Sequence, residues 1–262
     1  MFTARSIPGM KDLRPMNSND LWETHAEWWI REFTDGADPE YEEQILPMVL
    51  REVEGATRVL DLGCGEGQIS RALVASGVST VIGIDPTYNQ IEVARQRGGV
   101  FARAGSVGLP FCDSSFDTVV ACLVFEHVRD LDSSLSEIAR VLEPGGKFCF
   151  FLNHPLLQTP DSGWIDDQFV DPPEQYWRIG SYLDEAITFE EVEPGVRVRF
   201  LHRPLSRYVN TLAEHGLFLE AMFEPAPPAG FLARSADYAF AASIPRLLCL
   251  RLCKFSPPPS LV

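Results

Sequence analysis

The residues best suited to chemistry stand close together: Asp61 near the end of an apolar run, glycines at 63, 65 and 67, then Asp85. Glycine takes φ > 0 and carries no Cβ, so a ligand can touch the main chain there. Val59, Leu60 and Leu62 suit a strand buried on both faces, as parallel sheets require. In an open α/β sheet the ligand lies just past the carboxyl ends of the strands, which puts a site at residues 61–67. A carboxylate at that strand end repels a pyrophosphate and attracts an ammonium group. The G-x-G-x-G spacing also departs from the G-x-G-x-x-G of dinucleotide sites, which disfavours an NAD(P)-dependent oxidoreductase. A tight strand-to-helix turn with no ligand would use the same glycines.

The flanking pattern supplies elements to hold these groups. Residues 68–76 read as a helix with Ile69, Ala72 and Leu73 inward, stopped by Gly77. Residues 81–85 form a second buried strand ending in Asp85. That acid lies roughly 20 residues past the glycines, where a βαβ unit places an acid on a ribose hydroxyl pair. Capping the helix at 88–97 is its competing role. A third strand covers 118–123. A helix capped by Asp132 or Ser133 then runs to Pro144-Gly145-Gly146, and 147–152 is a fourth parallel strand. Upstream, 1–17 read as a loose arm. A helix from Asn19 or Asp20 to Phe33 carries Trp22, Trp28 and Trp29 at helical spacing, and 41–53 form another. Those tryptophans either pack a cap or wall a pocket. Downstream come a helix at 205–215, a strand at 217–223, a last strand at 244–254 and a disordered tail around Pro257, Pro258 and Pro259.

The chain has 262 residues, 45% hydrophobic and 23% charged, enough for one large domain. Its net charge of −15, from 37 acids against 22 bases, argues against nucleic acid and anionic membranes as partners. No run is long enough to span a bilayer, and no signal peptide is evident. The six cysteines show no metal-ligand spacing, so no metal is expected and a reduced, cytoplasmic setting is. Nothing in the sequence fixes an oligomeric state.

The motif at 61–67, the 104–111 stretch ending in Leu109-Pro110-Phe111, the Phe116-Asp117 pair opening a strand, and Arg140-Val141-Leu142-Glu143-Pro144-Gly145-Gly146 together resemble the class I S-adenosylmethionine-dependent methyltransferases. The likeness is nearest to the small-molecule branch with the ubiquinone/menaquinone and natural-product enzymes. It covers 55–152 by motif and 204–255 by pattern. The resemblance implies an α/β, Rossmann-like, doubly wound and mostly parallel sheet with a C-terminal antiparallel strand. To that core are added an N-terminal arm and helical cap (1–54), an insertion after the fourth strand (153–203) and a C-terminal completion (204–262).

It implies S-adenosyl-L-methionine as cofactor, with S-adenosyl-L-homocysteine as product, and methyl transfer to O, N or C of a small molecule. Asp61, Gly63, Cys64, Gly65, Gly67, Asp85, Pro86, Ser106, Val107 and Cys122 would bind the cofactor. The family commonly has an acid where this chain has Gly105. Glu126 and His127 follow the third strand, so they should lie near the reacting centre. His127 and His154 are candidate bases, since histidine titrates near neutrality, although His127 could equally serve a structural hydrogen bond. Trp29, Glu126, Trp164 and Trp177 are candidates for the acceptor pocket. The acidic insertion, with a hairpin around Pro194-Gly195, is either a solvated surface or a lid. A non-catalytic cofactor-binding or interaction protein is the alternative.

Overall fold

The computed structural model describes residues 18–234 and 241–255. The arm at 1–17 and the tail at 256–262 lie outside that range. In chain order the helices are α1 (Ser18–Thr24), α2 (Ala26–Phe33), α3 (Leu46–Glu52, entered through a π-helical turn Tyr41–Ile45), α4 (Gln68–Ala75), α5 (Tyr88–Arg97), α6 (Leu131–Val141), α7 (Leu205–Glu214) and α8 (Ala229–Leu232). The strands are β1 (Arg58–Leu62), β2 (Thr80–Asp85), β3 (Val100–Arg103), β4 (Phe116–Cys122), β5 (Leu142–Asn153), β6 (Gly163–Asp167), β7 (Glu174–Arg178), β8 (Ala186–Glu193), β9 (Val196–His202), β10 (Leu217–Phe223) and β11 (Leu247–Lys254).

Seven strands make one sheet, ordered β10-β11-β5-β4-β1-β2-β3. β1, β2, β3, β4 and β5 pair parallel, and β11 runs antiparallel to both of its neighbours. The order reverses between β1 and β4, so the expected site lies at the switch point. Alternation along β5 explains the two buried layers. Phe148 and Phe150 face Leu135, Ile138 and Leu212, while Cys149 and Phe151 join the cluster of Val59, Ile69 and Leu73. Among the described residues no helix is long and apolar enough to cross a membrane.

Two motif residues tie the sheet's edges to its turns. Oδ2 of Asp117 accepts from Thr57 N (3.0 Å), Thr57 Oγ1 (2.6 Å) and Arg58 N (2.9 Å), so it locks the start of β1 to β4. Arg140 pairs with Glu137 and Asp113 and donates to the carbonyls of Leu109 (3.0 Å) and Phe111 (2.7 Å). The Leu109-Pro110-Phe111 stretch is therefore stapled to α6.

Several expectations need correction. The first helix is broken at His25, whose backbone leaves the helical region. The cap of α6 is Asp130, which accepts from Ser133 N at 3.0 Å, and Asp132 instead pairs with Arg207. The helix before the Pro-Gly-Gly turn ends at Val141, and β5 begins at Leu142. β3 completes the sheet edge, and the last strand starts at Leu247. The insertion holds two separate hairpins, β6–β7 and β8–β9.

Candidate functional site

The loop after β1 is fixed by its neighbour strand. Gly63 and Cys64 both donate N–H to the carbonyl of Ile84, at 2.8 and 2.9 Å. Gly65 N–H donates to Asp85 Oδ2 (3.1 Å), and Asp85 Oδ1 accepts from Thr87 N (2.8 Å). Gly63 sits at φ 74°, and a Cβ there would fall within the isopropyl group of Val124. A Cβ on Gly65 would point at Gln90 Oε1 (3.8 Å) and Trp29 Nε1 (3.9 Å). One glycine is demanded by packing, and the other keeps a cradle open.

Three acids bound this end. Asp61 is 1% exposed and accepts from Ser70 Oγ at 2.6 Å. Burial pushes its carboxyl up to about 7, against the Ser70 bonds. Burial likewise raises Asp85, opposed by its bonds to Thr87 and Gly65. Glu66 is buried but clamped by Arg71 and Arg97, each at 2.6 Å.

The opposite wall is aromatic. Trp29 stacks on Phe33 with centroids 4.3 Å apart, Trp22 meets Trp29 edge-on at 5.4 Å, and Trp22 meets His127 at 4.8 Å. This wall is latched across the cavity. Glu23 of α1 accepts from the first amides of α5, Tyr88 N (2.7 Å) and Asn89 N (2.9 Å). A carboxylate on those amides satisfies donors that a helix start leaves unpaired. Between the two ends lies a cavity of about 330 Å³.

His127, half-buried, faces this cavity. Its Nδ1 lies 2.8 Å from the carbonyl of Arg199. A carbonyl only accepts, so Nδ1 carries the proton and Nε2 keeps a lone pair. Burial lowers the imidazole to about 4. Arg203 donates to the carbonyls of Phe125 (3.0 Å), Val128 (2.8 Å) and Arg129 (3.0 Å), which fixes the loop that carries His127.

Residues 60–150 match the family model described as a methyltransferase domain. The methyltransferase GfsG of Streptomyces halstedii is 38% identical over 104 residues, 37% of each chain. A demethylmenaquinone methyltransferase of Thermobifida fusca is 32% identical over 148 residues, which cover 49% of this chain and 60% of that one. The matched part thus spans less than two thirds of those relatives' lengths. An S-adenosylmethionine-dependent methyltransferase structure from Mesorhizobium loti superimposes with a TM-score of 0.70 at 27% identity, over 84% of this chain and 99% of that one. Residues 60–150 are a methyltransferase domain, and the chain is similar in sequence and fold to S-adenosylmethionine-dependent methyltransferases.

The methyltransferase cavity fits the cofactor of that family. It offers a cradle that a Cβ on Gly65 would fill and, among the described residues, a buried carboxylate at Asp61 with no cation paired to it and a buried Gln90 Oε1 without a partner. Asp61, Gly63, Cys64, Gly65, Asp85, Pro86, Ser106, Val107 and Cys122 all line the cavity, as do Trp29 and His127. Gly67 stands behind the loop against Phe101. Ser106 spends its hydroxyl on Ser134 Oγ (2.7 Å), which leaves its backbone to face the cavity.

Four candidates are not brought to this site. His154 binds Glu224 through Nε2 (2.8 Å) and accepts from Leu156 N through Nδ1 (3.2 Å), so neither ring nitrogen is free to act as a base. Glu126 turns inward, where Oε1 accepts from Asn153 N (3.2 Å) and Nδ2 (2.8 Å), because consecutive residues of that turn face opposite ways. Trp164 and Trp177 pack edge-on against each other at 5.5 Å in the β6–β7 hairpin and do not line the cavity. Tyr41, Thr87, Gln90, Val124 and Arg129 do line it and were not singled out. Their signal was position alone: Thr87, Val124 and Arg129 follow β2 or β4, Gln90 lies on α5, and Tyr41 opens the π-helical turn before α3.

Proposed function

We propose that this protein transfers a methyl group from S-adenosyl-L-methionine to a planar, largely apolar small molecule. The observation that carries the reading is the division of one cavity into a glycine-lined, acid-bounded end and an aromatic wall. Bound there, the cofactor supplies a methyl carbon made electrophilic by its sulfonium. Asp61 takes the ammonium, whose charge favours the ionised carboxylate that burial alone disfavours. Asp85, already organised by Gly65 and Thr87, accepts the ribose hydroxyls with its remaining lone pairs. Gly105 brings no side chain, so the backbone of Ser106 and Val107 borders the adenine. Trp22, Trp29 and Phe33 exclude water and stack against the acceptor, and proximity is the main catalytic device.

His127 orients the acceptor through the Nε2 lone pair. A group lowered to about 4 is a weak base, so acceptors that ionise readily or already bear a lone pair suit the site. The excess of acids over bases supports a small molecule over nucleic acid. The free cysteines among the described residues support a reduced, cytoplasmic setting. α1, α2 and the β8–β9 hairpin, whose Val196 and Val198 pack on Trp28, form the acceptor side, and β6–β7 is an outer decoration.

Thermal-shift measurements with S-adenosylhomocysteine, NAD and NADP test the cofactor reading. Stabilisation by the first alone is expected, and stabilisation by a dinucleotide alone would replace it. Mass spectrometry of a co-purified ligand, followed by turnover on it, tests methyl transfer against a non-catalytic binding role.

A further inference from the structure

One rim of the cavity carries Arg129 with Asp130 beside it. Arg129 is exposed and lines the cavity, and among the described residues no carboxylate lies within ion-pair distance of it. Its neighbour Asp130 directs Oδ1 to Ser133 N and caps α6. Behind them lies Arg199, only 3% exposed. It donates through one terminal nitrogen to the carbonyl of His127 (3.1 Å), its Nε has no partner, and no acid pairs with it among the described residues. Burial and the charge of Arg129 both lower its guanidinium, so the two arginines feel each other. A buried guanidinium without a counter-ion is costly and is normally paired. The rest of this corner is built from Leu21, Trp22, Val198, His25 and the imidazole of His127, with Arg197 as a further arginine and no carboxylate among the described residues. In a chain of net charge −15, two uncompensated arginines beside one cavity wall are a local exception.

Resting on the methyltransferase reading, we propose that the acceptor carries a carboxylate, which Arg129 binds at the mouth of the cavity while Arg199 holds a positive field behind it. Arg129 is the contact. Arg199 is a positioning residue: its carbonyl fixes the His127 tautomer and its guanidinium fixes the His127 backbone. The exposed acids of the insertion, among them Asp166, Asp171, Glu174 and Asp184, then face solvent.

The test is calorimetric titration of the full chain, saturated with S-adenosylhomocysteine, with 2-naphthoate and with the neutral isostere 2-naphthamide. Naphthoate should bind at least about tenfold more tightly, as a charge-assisted pair allows. Arg129→Gln should remove most of that preference, and Arg129→Lys should restore part of it. The preference should fall with added salt. It should also stay flat from pH 5.5 to 9, because a guanidinium does not titrate there, whereas a protonated histidine would lose it as pH rises. Equal binding of the two probes, no binding of naphthoate at millimolar concentration, or a preference unchanged in Arg129→Gln would overturn the proposal. Failure of S-adenosylhomocysteine itself to bind would instead refute the cofactor reading, so the two failures are distinguishable.

Discussion

At one end of the cavity, residues 61–67 and 84–87 present main-chain amides and carboxylates whose positions are set by sheet pairing. At the other end, α1, α2, the loop after β4 and the β9 strand present side chains that hold one another by edge contacts and long-range bonds. The first end is backbone-built and tolerates little change. The second is side-chain-built, so substitution there can alter what is bound without disturbing the sheet. One scaffold can thus keep its cofactor while its acceptor varies.

The comparison breaks most sharply at Gly63. Its φ of 74° and its contact with Val124 leave no room for a methyl. Gly63→Ala should cost about 3 kcal/mol in urea unfolding, from left-handed strain plus overpacking. A cost near zero would show that the backbone end is softer than described. Asp61→Asn should weaken S-adenosylhomocysteine by about a hundredfold, since a buried ammonium loses its counter-charge. Adenosine, without that ammonium, should bind nearly as before. Parallel titrations of the two ligands separate charge loss from general damage.

The pH dependence sharpens the same point. Burial holds Asp61 up near 7, so it is mostly neutral below that pH and charged above it. An ammonium favours the charged form, so affinity for S-adenosylhomocysteine should rise by up to about tenfold between pH 6 and 8. Binding near neutrality should release a proton, visible as a heat that changes with the buffer's ionisation enthalpy. The latch between the two ends is a smaller effect. Glu23→Ala removes the acceptor for the Tyr88 and Asn89 amides and should cost about 1 kcal/mol by chemical denaturation. Smallest of all, Trp164→Ala should change S-adenosylhomocysteine affinity and methyl transfer by less than about twofold, as expected away from the site. A large loss would return the β6–β7 hairpin to the acceptor pocket.

The same contrast explains what could be read in the chain. Apolar runs, alternate glycines and strand-end acids are local signals, and they located β1, β2, β4 and the loop that joins β1 to α4. Asp117 and Arg140 were visible as motif letters, but their hydrogen bonds explain why those letters are needed. The aromatic wall depends on contacts between residues far apart in sequence. Trp22 was visible as part of a stripe, but its contact with His127 was not. Glu126 and His127 are adjacent, and only the turn geometry decides which one faces the cavity. His154 lies past the end of β5 as expected of a ligand-bearing edge, yet Glu224 and Leu156 occupy both of its nitrogens. The break at His25 rests on tertiary contact too, since its Nε2 accepts from Arg197 N at 3.3 Å.

The placement of β11 bears on how the protein emerges during synthesis. This strand lies between β5 and β10, both of which precede it in the chain. Until 247–254 leave the ribosome, β5 has an unpaired edge whose residues include Phe148, Phe150 and Phe151, and β10 has no strand partner. An open apolar edge is a template for wrong pairing. Between the synthesis of β10 and that of β11 the nascent chain therefore carries an aggregation hazard, after the cofactor loop can already have formed, and chaperone occupancy should rise in that interval.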